Sequence, residues 1–393
     1  MRSRSLALAL LTGAALVIGA CTGGGSPSAA APSGASPSAA SPSAASPSGA
    51  SPSAASPSGG SASPSGEPLN VGVVTDVGQL EDKSFNQFTN EGALAAATAL
   101  GGDHDVIVTA NISDYARNIQ TFVDRDFDVI VTAGSLIGTD TAKAALANPD
   151  VFFVGIDQFI CVDAQGTPNF ADCSGDPAQL MPNYQGVVFA EEQAGYLVGI
   201  IAANISESDV IGAVAGTNVP AVVRYIAGYE AGAKSVKPEI NVLKQEADPD
   251  PAKGFNNPGL GRSLGTQMIG QDADVLFQVA GGTGVGVLEA ACDADIHGIG
   301  VDVDQALAIP TAAECIVTSA EKKLKEYTDL VVRSIADGTF KAGNQLYNAA
   351  SEPAGIGISP FHDNAALITP EIQAQVDEAF EAMKAGTLEP PKS

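Results

Sequence analysis

The feature that most constrains the fold is a regular alternation of two kinds of segment between residues 70 and 302. Short runs rich in Val and Ile, which favour buried strands, alternate with longer segments of helical periodicity. The predicted strands are 70–74, 105–110, 128–134, 151–157, 210–216, 241–246, 274–281 and 297–302. The predicted helices are 85–100, 115–125, 140–147, 187–204, 222–236 and 285–294. This order is typical of right-handed βαβ units, so we predict an α/β protein with parallel sheets.

The predicted helix 187–204 is apolar enough to be considered as a membrane span. It contains Glu191 and Glu192, and the transfer of two carboxylates into lipid carries a large free-energy penalty. We therefore interpret this segment as a helix of the protein core, and we expect the folded part not to cross a membrane.

The first 21 residues have the pattern of a secretory signal peptide. Arg2 and Arg4 precede a short apolar stretch, and small residues stand before Cys21. The run 18–21 resembles the bacterial lipobox, in which the cysteine receives diacylglycerol and becomes the new N-terminus. An ordinary signal peptide with an incidental cysteine is the alternative. We predict lipidation of Cys21 and an anchor on the extracytoplasmic face of the cell membrane.

Residues 22–67 form a segment of low complexity in which Ala-Ser-Pro-Ser recurs. It consists almost entirely of Ser, Pro, Ala and Gly, and its first charged residue is Glu67. Such a composition cannot bury enough apolar surface to offset the conformational entropy lost on ordering. We predict a disordered linker that holds the folded part away from the membrane.

The charge balance restricts the class of partner. The chain has 19 Lys+Arg against 45 Asp+Glu, a formal net charge of −26 at pH 7. A surface of this sign repels phosphate backbones, so we expect no nucleic-acid polymer as a partner. A neutral nucleoside is not excluded by this argument.

Four cysteines follow Cys21, namely Cys161, Cys173, Cys292 and Cys315. An even number of cysteines outside the reducing cytosol favours disulfides. Cys161 and Cys173 flank a short loop that suits a local disulfide, and we pair the other two with each other. A metal site is the alternative, but neither pair has zinc-knuckle spacing and the histidines are scattered. We expect two disulfides and no metal.

Three of the predicted strands lead into an aspartate, namely Asp76, Asp157 and Asp302. In open α/β sheets the ligand crevice lies at the carboxyl ends of the strands. A carboxylate there can accept hydrogen bonds from sugar hydroxyls or from base N–H groups. Each aspartate alone is about as well explained as a helix cap or a turn residue. The three together favour a crevice for one small polar solute.

An ordered series of motifs resembles the basic membrane protein (Bmp) family. That family comprises nucleoside-binding lipoproteins of ABC transporters, including the purine nucleoside receptor of spirochaetes. The resemblance extends from about residue 71 to about residue 323. The motifs are Asp76, DKSFNQ at 82–87, DVIVT at 128–132, AGYLVG at 194–199, AGGTG at 280–284 and IGVDVDQ at 299–305.

The resemblance implies a type I periplasmic-binding-protein fold, with two parallel-sheet lobes joined by crossover strands. Lobe 1 is expected to comprise residues 68–184 with part of about 305–345. Lobe 2 is expected to comprise residues 185–304 with part of about 346–393. The resemblance also implies a monomer that holds a nucleoside, of the purine class, between its lobes. It would deliver this ligand to an ABC transporter permease, without enzymatic turnover and without a cofactor.

On the base side of the ligand, the resemblance assigns a role to each of five residues. Phe85 would stack on one face of the base. Tyr225 occupies a place on the opposite lobe where the family often has Phe. Asp76 and Asn86 would contact the base edges, and Asp157 would add a hydrogen bond from the next loop. From the residues alone, the favoured interpretation of Phe85 and Tyr225 is that they are core side chains on amphipathic helices.

On the sugar side, the resemblance assigns Asp302 and Lys322 to the ribose, and Gly282 to a close approach of backbone to ligand. The residues themselves leave an alternative for Lys322, because it stands in a lysine-rich stretch with Lys323 and can be read as solvated surface.

Other functions have weaker support in the sequence. The glycine-rich run 280–286 could open a dinucleotide-binding helix, but it comes late in the chain and lacks the G-x-G-x-x-G pattern with a following acid. Among non-enzymes, the alternative is a lipoprotein that binds another small polar solute for sensing or adhesion. Among enzymes, it is a nucleoside-processing enzyme, for which no catalytic motif is visible.

Overall fold

The computed structural model describes residues 68–168 and 172–393. The predicted signal peptide, the linker 22–67 and the lipidated Cys21 lie outside the described residues. Its strands are β1 (Val71–Val77), β2 (His104–Thr109), β3 (Val129–Ala133), β4 (Phe152–Ile156), β5 (Tyr184–Phe189), β6 (Val210–Ala215), β7 (Asn241–Glu246), β8 (Val275–Val279), β9 (His297–Asp302), β10 (Ile316–Lys322), β11 (Gly343–Tyr347) and β12 (Ile356–Ile358).

The helices lie mainly between consecutive strands, as βαβ units require. They are α1 (Phe85–Leu100), α2 (Tyr115–Val123), α3 (Gly138–Ala147), α4 (Pro177–Leu180), α5 (Glu191–Ile205), α6 (Pro220–Val236), α7 (Pro251–Gly254), α8 (Pro258–Ile269), α9 (Gly281–Asp293), α10 (Gln305–Ala308), α11 (Leu324–Ala336) and α12 (Pro370–Lys384). Short 3₁₀ turns occupy Ile112–Asp114, Ala313–Cys315 and His362–Leu367.

Local sequence signals account for several of these boundaries. At the start of α8 the side chain of Asn257 accepts a hydrogen bond from the backbone of Leu260, and Pro258 occupies the first turn. Helix α12 begins in the same way, with Thr369 as the cap and a proline next to it. Helix α1 ends at Leu100 and is followed by Gly101, whose φ of 73° permits the left-handed turn that closes the helix.

The strands of the described residues form two six-stranded sheets with the same spatial order. The first sheet is β11-β5-β4-β3-β1-β2, and the second is β12-β10-β9-β8-β6-β7. All pairs in the first sheet are parallel, and in the second only β12 runs antiparallel to its neighbour. These observations confirm the prediction of an α/β protein built on parallel sheets.

Burial separates the central strands from the edge strands. Every residue of β3, β5 and β8 is buried, as expected for strands covered by helices on both faces. The edge strand β7 is largely half-buried or exposed and includes Lys244 and Glu246. The two sheets therefore form the cores of two lobes, which we call lobe 1 (the first sheet) and lobe 2 (the second).

The chain crosses between the lobes three times within residues 172–393. It leaves lobe 1 after β5, since α5 packs on α6 and β10. It returns after β10, because α11 packs on α1, and it leaves again between β11 and β12. The expected boundary after residue 184 falls inside β5, which belongs to lobe 1. The segment 305–345 is divided between the lobes, since β10 belongs to lobe 2 and α11 packs on lobe 1.

The prediction of one helix over 187–204 is wrong at its start. The first residues of that segment end strand β5, and α5 begins only at Glu191. The apolar run continues through both elements, with only Ala190 between them, so the sequence contains no turn signal that would mark the change. Among the helices of residues 68–168 and 172–393, none combines the length and the apolar character needed to cross a bilayer.

Both cysteine pairs are bonded in the structure. Cys161 and Cys173, with Cα atoms 4.4 Å apart, close the loop that follows β4. Cys292 in α9 is joined to Cys315, with Cα atoms 5.3 Å apart, and ties that helix to the start of β10. Each bond closes a short segment within one lobe, so neither restricts the movement of one lobe against the other.

Candidate ligand-binding site

A cleft between the two sheets contains about 650 Å³ of space that no protein atom fills, and part of this space is open solvent. It lies at the carboxyl ends of strands from both lobes, where the loops of an α/β sheet converge. All the residues predicted to bind a ligand line this cleft except Gly282. Its neighbour Gly281, with a φ of 51°, supplies the backbone that faces the cleft at that point.

Asp76, at the end of β1, is held by groups around it. Its carboxylate accepts hydrogen bonds from the hydroxyl of Tyr115 and from the backbone of Val77, the latter at 2.7 Å. Its own backbone N–H donates to the side chain of Asn86 at 3.0 Å. A Cβ atom at Gly134 would lie 1.9 Å from an oxygen of Asp76, so only glycine fits there. Burial raises the pKa of Asp76 to about 6, despite these hydrogen bonds.

Asp82, which was not predicted as a binding residue, sets the position of helix α1. Its carboxylate accepts backbone N–H bonds from Ser84, Asn86 and Gln87 at 2.9 to 3.2 Å. This cap directs Phe85 and Asn86 into the cleft that Asp82 also lines. Burial raises the pKa of Asp82 to about 7 and outweighs the three backbone bonds. The sequence signal for this capping role was an aspartate three residues before the predicted helix 85–100.

Lys322, at the end of β10, is buried with only 3% of its surface exposed. Its ammonium lies 2.5 Å from Asp157, 3.5 Å from Asp302 and 3.7 Å from Glu191. Burial alone would lower the pKa of Lys322, but the three carboxylates raise it above its ordinary value. The interpretation of Lys322 as solvated surface is therefore wrong. The lysine is a buried cation that contacts both lobes.

Asp157 directly follows β4 and Asp302 is the last residue of β9, with φ angles of 59° and 66°. Left-handed backbone is uncommon outside glycine, and Asp is among the residues that tolerate it. Asp302 accepts a hydrogen bond of 2.6 Å from Ser84 of lobe 1. The Oδ1 atom of Asp157 is buried and has no hydrogen-bond partner in the part of the chain that the structure describes. An acceptor of this kind suits a donor from a ligand.

Aromatic rings reach the cleft from both lobes. The ammonium of Lys322 lies 4.7 Å from the ring centre of Phe85 and 5.7 Å from that of Tyr225. The hydroxyl of Tyr225 lies 3.3 Å from the carbonyl of Ala320, which fixes the ring. Phe255, just after α7, also lines the cleft and was not predicted, because a lone aromatic residue in a loop carries no local signal.

Together these groups form a site with distinct chemical regions. The carboxylates can accept hydrogen bonds from N–H and O–H groups, and the ammonium can donate to hydroxyls. The aromatic faces suit a flat ring. Such an arrangement can hold a polar, ring-containing solute between two lobes.

Solved structures share this architecture. A solute-binding protein of an ABC transporter system from Aeropyrum pernix K1 superimposes with a TM-score of 0.70 at 22% identity, covering 83% of this chain and 94% of that chain. One from Conexibacter woesei gives a TM-score of 0.62 at 24% identity and covers 82% and 99% of the two chains. The fold is therefore the periplasmic-binding-protein-like fold of solute-binding proteins, as expected.

Relatives of known name cover most of the chain. The ABC transporter nucleoside-binding protein BmpA of Lactococcus lactis subsp. cremoris is 27% identical over 330 residues, which are 79% of this chain and 86% of the relative. Basic membrane protein A of Borreliella burgdorferi is 26% identical over 303 residues, 76% of this chain and 81% of the relative.

The comparison with family models agrees with the fold and with these relatives. The Bmp model, described as "ABC transporter substrate-binding protein PnrA-like", matches residues 69–383. This range contains both lobes and every residue that lines the cleft. The chain belongs to the Bmp family of PnrA-like ABC transporter substrate-binding proteins.

Proposed function

We propose that this protein binds a nucleoside, of the purine class, in the cleft and delivers it to an ABC transporter permease. The observation that carries the proposal is the pair of aromatic side chains, Phe85 and Tyr225, that reach one cleft from opposite lobes. The relative named as a nucleoside-binding protein supports the same ligand class.

The base would lie against Phe85, with Tyr225 contributing from the other lobe. Stacking of a base on an aromatic side chain contributes about 1–3 kcal/mol in single-stranded nucleic-acid complexes. Asp76 and Asn86 lie beside Phe85 and would read the edge of the base. Hydrogen bonds of this kind give selectivity, because an analogue that lacks the group leaves buried atoms unpaired.

The sugar would lie against the buried cation and its carboxylates. Lys322 can donate to a hydroxyl oxygen, and Asp302 and Asp157 can accept from hydroxyl groups. The unpaired Oδ1 of Asp157 supports this placement, since a buried acceptor without a donor is destabilising by about 1–3 kcal/mol.

Binding would stabilise the closed arrangement of the lobes. A ligand shifts a conformational equilibrium only by its difference in affinity for the two states. A nucleoside that contacts Phe85 of lobe 1 and Lys322 of lobe 2 has this difference, since it loses one set of contacts when the lobes separate.

We further propose that the protein is a monomer, catalyses no reaction and is held at the outer face of the cell membrane by lipid on Cys21. The linker 22–67 would let the two lobes reach the permease. A chain that presents a solute to a permease needs no chemical step, and the family description is that of a transport protein.

Calorimetry tests the function. Residues 22–393, which omit Cys21, are titrated with inosine, guanosine, adenosine, free sugars and amino acids. We expect one purine nucleoside to bind per chain, no release of free base by chromatography, and a smaller radius of gyration at saturation. A preference for free sugars or amino acids would contradict the proposal and would favour another small polar solute.

A further inference from the structure

We propose that Glu191 is a positioning residue for the sugar end of the ligand and acts through the ammonium of Lys322. This inference rests on the proposed nucleoside function and deepens it. Glu191 does not line the cleft, and the resemblance assigns it no role. It lies where the chain crosses from lobe 1 to lobe 2, close to the groups that would hold the sugar.

Glu191 is the first residue of α5, directly after the chain leaves lobe 1, and it is fully buried. Its Oε2 atom accepts a hydrogen bond of 2.6 Å from Nε of Arg224. Its Oε1 atom lies 3.7 Å from Nζ of Lys322 and has no hydrogen-bond partner among the described residues. Glu191 therefore joins two cations, one in β10 and one in α6 next to Tyr225.

The lobes determine which carboxylates stay with Lys322 when the cleft opens. Asp157 belongs to lobe 1, whereas Lys322, Glu191 and Asp302 belong to lobe 2, because α5 packs on α6 and β10. Separation of the lobes removes Asp157, the nearest partner at 2.5 Å. Glu191 and Asp302 remain and keep the ammonium at the mouth of the sugar region.

A buried carboxylate is stable only when other charges and hydrogen bonds compensate its lost hydration. Arg224 compensates one oxygen of Glu191, and Lys322 lies nearest to the other. Without the charge of Glu191, only Asp157 and Asp302 would attract the ammonium of Lys322, and these two residues lie on opposite lobes. The ammonium would then shift toward them and lose its alignment with a ligand hydroxyl.

Inosine and 2′,3′-dideoxyinosine test this role, because they share the base and differ only at the sugar hydroxyls. In the chain 22–393 we expect Glu191→Gln to weaken inosine binding by about tenfold, the effect of one charge-assisted hydrogen bond. The affinity for the dideoxy compound should change little. The ratio of the inosine affinity to the dideoxyinosine affinity should therefore fall. A ratio equal to that of the unsubstituted chain overturns the proposal.

Glu192→Gln is the matched control. Glu192 is also buried in the first turn of α5, and it lies 3.8 Å from Arg224 and 3.9 Å from Lys392. It has no contact with Lys322 within salt-bridge distance in the described structure. We expect this variant to retain the affinity ratio whatever its effect on the thermal midpoint. If the ratio of the inosine affinity to the dideoxyinosine affinity falls in both variants, the effect comes from the first turn of α5 in general. That result would overturn the proposal.

Two further measurements keep the proposal testable. One serves if Glu191→Gln folds poorly, and the other serves if the chain fails to bind inosine. Glu191→Asp keeps the charge but shortens the side chain, so we expect an intermediate ratio. The ¹⁵N–¹H signal of the Lys322 ammonium, assigned by its loss in Lys322→Met, needs no ligand. It should shift in Glu191→Asp and Glu191→Gln but not in Glu192→Gln. An unshifted signal overturns the inference, whereas absence of inosine binding by the unsubstituted chain overturns the proposed function.

Discussion

The hydroxyl of Ser84 in lobe 1 donates a hydrogen bond of 2.6 Å to the carboxylate of Asp302 in lobe 2. A second contact follows beside it, from the side chain of Gln305 to the carbonyl of Lys83 at 3.1 Å. Both bonds join the two lobes directly. They favour the closed arrangement, because separation of the lobes breaks them.

Ser84→Ala removes the first of these bonds, and we expect it to weaken nucleoside binding by about 1.5–3 kcal/mol, the contribution of a hydrogen bond to a charged group. The closed state loses this bond and the open state does not. Calorimetry measures the affinity, and X-ray scattering without ligand should show a larger radius of gyration. An unchanged affinity together with unchanged scattering would mean that the contact does not contribute to closure.

Phe85→Ala should weaken nucleoside binding by about 1–3 kcal/mol, because it removes a stacking face. Phe85→Trp should retain much of the affinity, since any aromatic face can stack. Phe85 is only half-buried and lines the cleft, so its truncation should lower the thermal midpoint without ligand less than truncation of a fully buried ring.

The matched comparison for that experiment is Phe153→Ala, which removes a fully buried ring from β4. It should lower the stability by about 3–5 kcal/mol. If Phe85→Ala instead destabilised the protein to the same extent and left affinity unchanged, Phe85 would be a core residue.

Asp82 should make the stability of the protein depend on pH. Its pKa is about 7 in the folded state against 3.8 ordinarily, so the folded state binds the proton more tightly. This contribution to stability is complete below about pH 4 and is lost as the pH rises through 7. The difference in unfolding free energy between the unsubstituted chain and Asp82→Asn should therefore fall by about 2–4 kcal/mol from pH 4 to 8.

Urea denaturation at several pH values measures that difference, with Asp105→Asn as the control. The hydrogen bond from Arg125 lowers the pKa of Asp105, which is half exposed. Its contribution has the opposite sign, because it is present above the ordinary pKa and is lost as the pH falls below it. A flat difference for Asp82→Asn between pH 4 and 8 would contradict the assignment of a raised pKa.

Cys21→Ser should abolish lipid attachment and leave the two lobes intact, because the linker 22–67 separates the anchor from the folded part. The chain is expressed in a bacterium supplied with a labelled fatty acid, and both label and cell fraction are recorded. We expect the variant to lose the label and to keep its affinity for the ligand. Labelling of the variant would show that the lipobox interpretation is wrong.

The sequence was sufficient to predict strands that are rich in apolar residues and buried on both faces. Strands β3 and β8 lie within the predicted segments 128–134 and 274–281, because a strand buried on both faces leaves that pattern. Strand β10 was not predicted, since its last residues, Glu321 and Lys322, are typical of a surface. Strand β5 was merged with the helix that follows it.

The charge environment of Lys322 could not be predicted from neighbouring residues. Its partners are Asp157, Glu191 and Asp302, which stand 20 to 165 positions away along the chain and meet only through the topology of the sheets. Local patterns report which residues share a helix or strand face. They do not report which strand ends share a cleft. The family resemblance named three of these four residues, and only the structure added Glu191.

The three crossings have a consequence for export, because neither lobe is continuous in sequence. The first sheet lacks an edge strand until β11 pairs with β5, and the second lacks one until β12 pairs with β10. A polypeptide that leaves the cytoplasm N-terminus first thus exposes two unfinished sheets until residues 343–358 emerge. The lobes should then acquire their last strands almost together, so protection of β5 and β10 against proteolysis should arise in a single late step of translocation.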